Sequence, residues 1–441
     1  MEQTNILGTM PLSRLVLHMS WPIMLSMLMQ AVYNLVDSVF VAQISGQAFL
    51  ALSYAYPIQT LMIAFCSGFG VAFSAMLSKR LGEGDLPGAN SCVFHGLLFF
   101  LGNWVLFLLF GLLAAPAYLR GCTGTAAVVG MGTDYLRVCC CLSIGMCMQF
   151  PLERVLQSTG HPTGFMIIQG SGAVINLILD PILIFGFDMG VTGAAVATVI
   201  GQITGALIGL CLVRRIRRQL PLSPRHVRLQ SRLATEFARI AAPAVLMQSL
   251  ASLMSLGLNA ILTLWSETAV WVLGVYFKLQ SFVFMPVFSI NNGLISIISY
   301  NYGAGRRDRV AEANRFGLQV ALAISLLGTA LLWLGAGPLL ACFQAGPQAL
   351  AMGVPALRMT ALAFPVAAVS IILSASFQSL DHSRYSLCVS LLRYIVVLLP
   401  AAWLLVRLLP SCTFLAFLAA ECVTTLVAIA LYRRVSREKL Q

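Results

Sequence analysis

The chain has 441 residues, of which 59% are hydrophobic and only 10% charged; its net charge is +12 and its mean hydropathy +0.89. A soluble domain carries about 25% charged residues, so a water-soluble enzyme or nucleic-acid-binding domain is excluded and a polytopic membrane protein is expected. The positive balance lies mostly in loop arginines, which suit an anionic lipid surface.

A helix needs about 20 mostly apolar residues to cross the hydrocarbon core. The first such run, near 15–41, is too long and lacks the small-residue site of a removable leader. It carries Pro22 in its middle and Asp37 in YNLVDSVFV. Further runs follow near 48–77, 91–115, 133–157, 163–186 and 191–213, the last two holding VINLILDPIL and Thr198. A basic stretch with Pro221 and Pro224, residues 214–232, separates these from runs near 236–264, 268–298, 313–335, 354–378, 385–408 and 412–432. No run alternates with period 2, so twelve transmembrane helices are expected and a barrel is not.

Arginine and lysine concentrate in KRLGEGD (79–85), 214–232, GAGRRDRVAEANR (303–315) and the C-terminal YRRVSREK, whereas the intervening loops are almost free of positive charge apart from Arg120 and Arg407. Both termini are therefore expected in the cytoplasm. The twelve cysteines, CCC at 139–141 among them, sit largely within spans and show no CxxC spacing, which reads as small apolar core rather than a disulfide or zinc framework.

Aligned against itself, the chain repeats at one constant shift of 221 residues, which pairs Pro22 with Pro243, Gln59 with Gln280, Gly82 with Gly303, Gly84 with Gly305, Arg137 with Arg358 and His161 with His382. Each half holds an even number of spans, so both enter the membrane in the same sense, related by a pseudo-twofold axis along the membrane normal. The expected organisation is an N-terminal lobe, 1–213, a cytoplasmic linker, 214–232, and a C-terminal lobe, 233–441.

The same shift exposes polar residues that one half holds alone. Asp37 maps to Leu258, Asn176 to Val397, Asp180 to Ala401 and Thr198 to Ala419. Asn176 and Asp180 share a helix face, as do Tyr33 and Asp37, with Asn34 beside them. Buried carboxylates need partners in lipid, and oxygen ligands from Asp, Asn and Thr suit sodium or a shared proton. The plainer alternative is that Asp37 and Asp180 lie near span ends and reach water.

The stretches YNLVDSVFVAQISGQA, NLILDPILIFGFDMGVTGAAVATVIGQ and YFKLQSFVFMPVFSINNGLISIISYNYGAGRRDRV resemble the multidrug and toxic compound extrusion (MATE) transporters, in particular their bacterial MepA/DinF-like branch. The resemblance implies a two-lobed, twelve-helix, all-α exporter of organic cations and related amphipathic compounds. It implies antiport with protons or sodium, at a first-lobe cation site falling on Asp37, Asn176, Asp180 and Thr198. It also implies a bacterial inner-membrane location, a monomer, small-molecule cations and the lipid bilayer as partners, and no cofactor beyond the coupling ion. One departure is that no acid lies between Glu236 and Glu267, where other branches carry a seventh-span carboxylate; Gln248 is the main polar residue there.

Substrate contacts in such relatives point to Gln30, Tyr33 and Asn34, with Tyr135, Gln149 and Glu153 beside them; helix packing is the alternative for Gln30 and Tyr33. Adjacent to Arg154, Glu153 reads as half of a surface ion pair. Lys278 and Arg393 have no obvious acid in sequence and either line the cavity or snorkel. Pro22 removes a backbone hydrogen bond and is the expected hinge. A lipid-linked oligosaccharide flippase, which would hold basic charge centrally for a pyrophosphate, is the alternative function. No nucleophile motif, metal spacing or phosphate loop points to an enzyme.

Overall fold

The computed structural model describes residues 6–216, 230–343 and 345–439, with the side chains of 33–39, 41–43, 46 and 49 outside the description. Most of the expected linker, 217–229, thus lies outside the described residues, as do the side chains of Tyr33, Asn34 and Asp37.

Every described element is a helix, the arrangement that satisfies backbone polar groups within one segment where lipid offers no partners. Ten helices are each long and apolar enough to cross a membrane. Two further spans are bent pairs, Ala126–Cys141 with Ile144–Ser158 at 43° and Pro347–Ala361 with Ala363–Ser379 at 40°, which makes twelve among the described residues. They fall on the expected runs in order.

The chain forms two compact units, Met1–Thr9 with Trp21–Ala241 and Met10–Ser20 with Ala242–Gln441. The first long helix, Leu12–Ile44, therefore divides its packing just before Pro22. Its start is held by the second unit: Arg309 Nη2 donates to the Met10 carbonyl at 2.8 Å, and Gly293 leaves room for Met19 and Ser20.

The repeat extends to backbone detail. Gly46–Gly82 and Glu267–Gly303 are both 37-residue helices in register at the same shift. Each begins at an extended serine, Ser45 or Ser266, whose hydroxyl accepts from Ala48 N or Thr268 N and so caps an otherwise unsatisfied donor. After each helix, Gly84 and Gly305 both adopt φ +72°, a left-handed conformation that glycine enters without steric cost.

The two bends also correspond. Pro365 has no N–H to give the Ala361 carbonyl one turn earlier, and Thr329 Oγ1 from the preceding span reaches that carbonyl at 2.8 Å, sharing its one hydrogen with the Ser325 carbonyl at 2.9 Å. At the matching bend the Cys140 carbonyl accepts from Ser143 Oγ at 2.7 Å, and Trp104 Nε1 donates to the Cys141 carbonyl at 3.0 Å. The freed Ala361 and Cys141 carbonyls are thus met by side-chain donors, which allows a span to break inside an apolar layer.

Each unit has its own core. In the first, Phe69, Phe99, Phe100 and Phe237 pack together, with Phe99 and Phe237 stacked at 4.4 Å; in the second, Tyr276 meets Phe417 edge-on at 5.0 Å and Phe284 meets Phe364 at 5.1 Å.

Candidate cation site

The fifth span, Pro162–Pro181 with a π-helical end at Ile182–Gly186, and the sixth, Gly190–Arg215, pack backbone to backbone. Glycines make this possible. A Cβ on Gly201 would stand 2.6 Å from the Gly172 carbonyl oxygen, one on Gly205 3.2 Å from the Ile168 carbonyl oxygen, and one on Gly209 3.0 Å from Ile168 Cδ1. The one-turn spacing puts all three on one face, the small-residue seam by which helices approach closely in lipid.

That approach brings the predicted residues together. Asn176 Nδ2 donates to Thr198 Oγ1 across the helix pair at 3.2 Å and to Asp180 Oδ1 one turn along at 3.3 Å. The Thr198 hydroxyl donates onward to the Ala194 carbonyl at 3.0 Å, so its remaining lone pair receives the amide. Asp180 is fully buried, which removes the reading of a solvated span end. The buried Asn176 Oδ1 has no donor among the described residues, leaving a carbonyl oxygen beside a carboxylate. Such an oxygen cluster suits a hard cation or a proton.

A cavity of about 60 Å³ opens beside this cluster, lined by Gln30, Gln149, Gln169, Asn176, Thr198 and Gln202 among others. It has room for a few waters or one partly hydrated ion. Gln149 is tied to Glu153, whose Oε1 accepts from Gln149 Nε2 at 2.8 Å.

Two expectations need correction, those on Glu153 and Arg393. Glu153 is completely buried and belongs to no surface ion pair; successive helix residues do not face one another, and the Arg154 guanidinium instead donates to Gln157 at 2.9 Å and lies 5.7 Å from the Phe165 ring. Tyr135 does not line this cavity: its hydroxyl accepts from Gln59 Nε2 at 2.9 Å, and Gln59 lines the smaller neighbouring space with Thr198 and Gln202. Arg393 does have an acid, because Glu421 approaches its Nε to 2.9 Å. Lys278 is exposed, with its ammonium 5.8 Å from the Phe343 ring.

Gln169 and Gln202 went unnoticed in the sequence. The repeat carried a signal for both, since the matching positions are Ser390 and Val423.

A family model for MatE matches residues 22–182 and 243–404, one copy per half and covering most of the chain. The chain belongs to the MatE family. Among curated proteins, this MatE chain is 26% identical over 409 residues to a FAD transporter of Shewanella oneidensis, covering 91% of the chain and 90% of that protein. It is 24% identical over 387 residues to the multidrug export protein MepA of Staphylococcus saprophyticus, covering 87% and 85%. Among solved structures, it superposes on an outward-facing multidrug resistance MATE transporter with a TM-score of 0.92 at 22% identity, over 100% of this chain and 99% of the other. A MOP superfamily transporter from Pyrococcus furiosus matches at 0.91 and 22%, over 98% of both chains. The molecule is thus a multi-pass membrane transporter of the MATE fold.

Proposed function

We propose that this protein exports organic cations and related amphipathic compounds in exchange for inward movement of protons or sodium, with coupling in its first half. The observation carrying the reading is the Asn176 amide bridging Asp180 and Thr198 beside a polar cavity. Asp37, one helix face from Tyr33 in the sequence, completes the cation set in this reading. At about 60 Å³ the cavity is far below the roughly 300–1,000 Å³ of a small-molecule site. In this scheme the cavity holds the ion as it stands and widens to admit a drug, the two competing for Gln30, Gln149 and their neighbours, and competition between two ligands is what antiport requires.

Pro22 serves as the hinge in this scheme. It lies just past the division in packing of the first helix, and its carbonyl accepts from Ser26 Oγ at 2.8 Å. The chain works as a monomer in a bacterial inner membrane with both termini cytoplasmic, as the distribution of loop arginines indicates. The flippase stays the second reading: Arg393 is paired with Glu421 and offers a pyrophosphate no uncompensated charge, whereas the exposed Lys278 does.

The test is ethidium efflux from proteoliposomes under a proton or a sodium gradient, for wild type, Asp37→Asn and Asp180→Asn. Export by wild type under one gradient, abolished in both variants, supports the reading and identifies the ion. Variants that export like wild type would refute it. FAD loaded into the same liposomes tests whether the cargo follows the Shewanella relative instead.

A further inference from the structure

The second unit contains a larger cavity, about 360 Å³, within the size range of small-molecule sites. Ala251, Phe284, Ala367, Ile371, Arg393 and Tyr394 line it; shifted back by 221 residues these are Gln30, Ile63, Met146, Phe150, Gly172 and Ala173, all of which line the cavity beside the cation site. The two cavities are therefore repeat counterparts with different chemistry. Where the first half has Gly172 and Ile200, the second has Arg393 and Glu421.

Arg393 stands on a π-helical turn, Leu392–Val397, an irregularity that re-aims side chains and recurs at functional sites. Its Nε meets both Glu421 oxygens, at 2.9 and 3.1 Å, and its Nη2 donates to Ser370 Oγ and, at 3.4 Å, to the Ala367 carbonyl. Both charged side chains are about nine-tenths buried and both line the cavity. Around them Tyr276, Phe364 and Phe417 supply ring edges and faces, and Gln280 adds an amide.

A buried ion pair is costly to desolvate and is no device for stability alone. This one faces an aromatic space. Because the pair is internally neutral, a ligand with one net charge would leave a charge uncompensated in a cavity lined mostly by apolar and aromatic side chains. A ligand with both charges exchanges one ion pair for two. We propose that this cavity binds planar aromatic zwitterions, with the ring among Tyr276, Phe364 and Phe417, a carboxylate on Arg393 and an amine on Glu421.

Fluorine NMR titration of the purified full chain with 5-fluorotryptophan, its methyl ester, 5-fluoroindole-3-propionate and 5-fluoroindole tests this without any gradient, so its outcome is independent of transport. The zwitterion is expected to bind at least about tenfold more tightly than the cation, anion or neutral ring, one uncompensated interaction being worth about that factor. Replacing the pair by apolar residues, Arg393→Met with Glu421→Met, removes the charges without stranding either, and the preference for the zwitterion should disappear. Ala251→Phe, at an exposed lining position, should weaken all four probes by narrowing the cavity. Equal affinities, a preference for the ester, no saturable binding of the zwitterion, or unchanged zwitterion binding in either variant would overturn the proposal.

Discussion

Asn176 and Thr198 sit on successive spans, 22 residues apart in sequence, and are joined by a single 3.2 Å hydrogen bond. That bond depends on two helices close enough for backbones to touch, and it links the stability of the first unit to the chemistry proposed for it. Asn176→Leu removes this bond, the bond to Asp180 and the free carbonyl oxygen. Gradient-driven efflux should fall well beyond tenfold. Thr198→Val leaves the Asn176–Asp180 contact in place, so its loss should be about tenfold, as for one hydrogen bond. Initial rates in proteoliposomes at matched protein content separate the two.

Gly201→Ala would force a methyl group to 2.6 Å from the Gly172 carbonyl oxygen, a backbone atom that cannot swing aside. Overpacking of this kind costs about 1–3 kcal/mol. The helices must separate, so thermal stability and efflux should fall together. Retention of both would mean that the seam does not set the Asn176–Thr198 distance.

Thr329→Val keeps the shape of the side chain and removes the donor to the Ala361 carbonyl. With Pro365 unable to replace it, the carbonyl is left unpaired at the bend, at a cost of about 1–3 kcal/mol. A lowered melting temperature in purified protein is the expected result, and an unchanged one would show that another group takes over.

Gly84→Ala and Gly305→Ala should each cost about 1–3 kcal/mol, because each residue holds φ +72°. Neither Cβ would meet a neighbour within 4 Å, so the penalty is purely one of backbone conformation. Asparagine, which tolerates this region better, should recover part of the loss at both positions. Thermal melts of the four variants check this.

Arg393→Ala strands a buried carboxylate on Glu421, and removal of one partner of a buried pair costs about 3–5 kcal/mol. The Glu421→Gln variant strands the guanidinium, which has no neutral form to adopt, whereas a lone Glu421 can take up a proton, so this variant should cost at least as much. The order of the two melting temperatures is the readout.

The twelve spans and their repeat were legible because apolar length and a constant shift are one-dimensional signals. The bends in the fourth and tenth spans were not: Leu142–Ser143 carries no breaker, and the effect of Pro365 depends on where Thr329 lies in space. Asn176, Asp180 and Thr198 were found by comparing the halves. Glu421 carries the same signal, being as unlike its counterpart Ile200 as Asp37 is unlike Leu258, but its pairing with Arg393, 28 residues away, depends on how two spans pack. Glu153 was misread because an adjacent arginine looks like a partner on paper, whereas a helix turns neighbours away from each other. Gln202 and Gln169 line the cavity without charge, and uncharged polar residues stand out less in an apolar run.

The halves share their 37-residue helices, serine caps and glycine turns at one shift, but their π-helical turns, Ile182–Gly186 and Leu392–Val397, fall at non-equivalent places, so they have diverged in backbone as well as in side chains. Val397→Asn with Ala419→Thr would therefore not transplant one half's chemistry into the other: Leu258 and Ala401 still lack the carboxylates, and Val397 stands on a π-helical turn where Asn176 stands on an α-helix. Specificity in this molecule resides in where a span departs from the regular helix as well as in the side chains it carries.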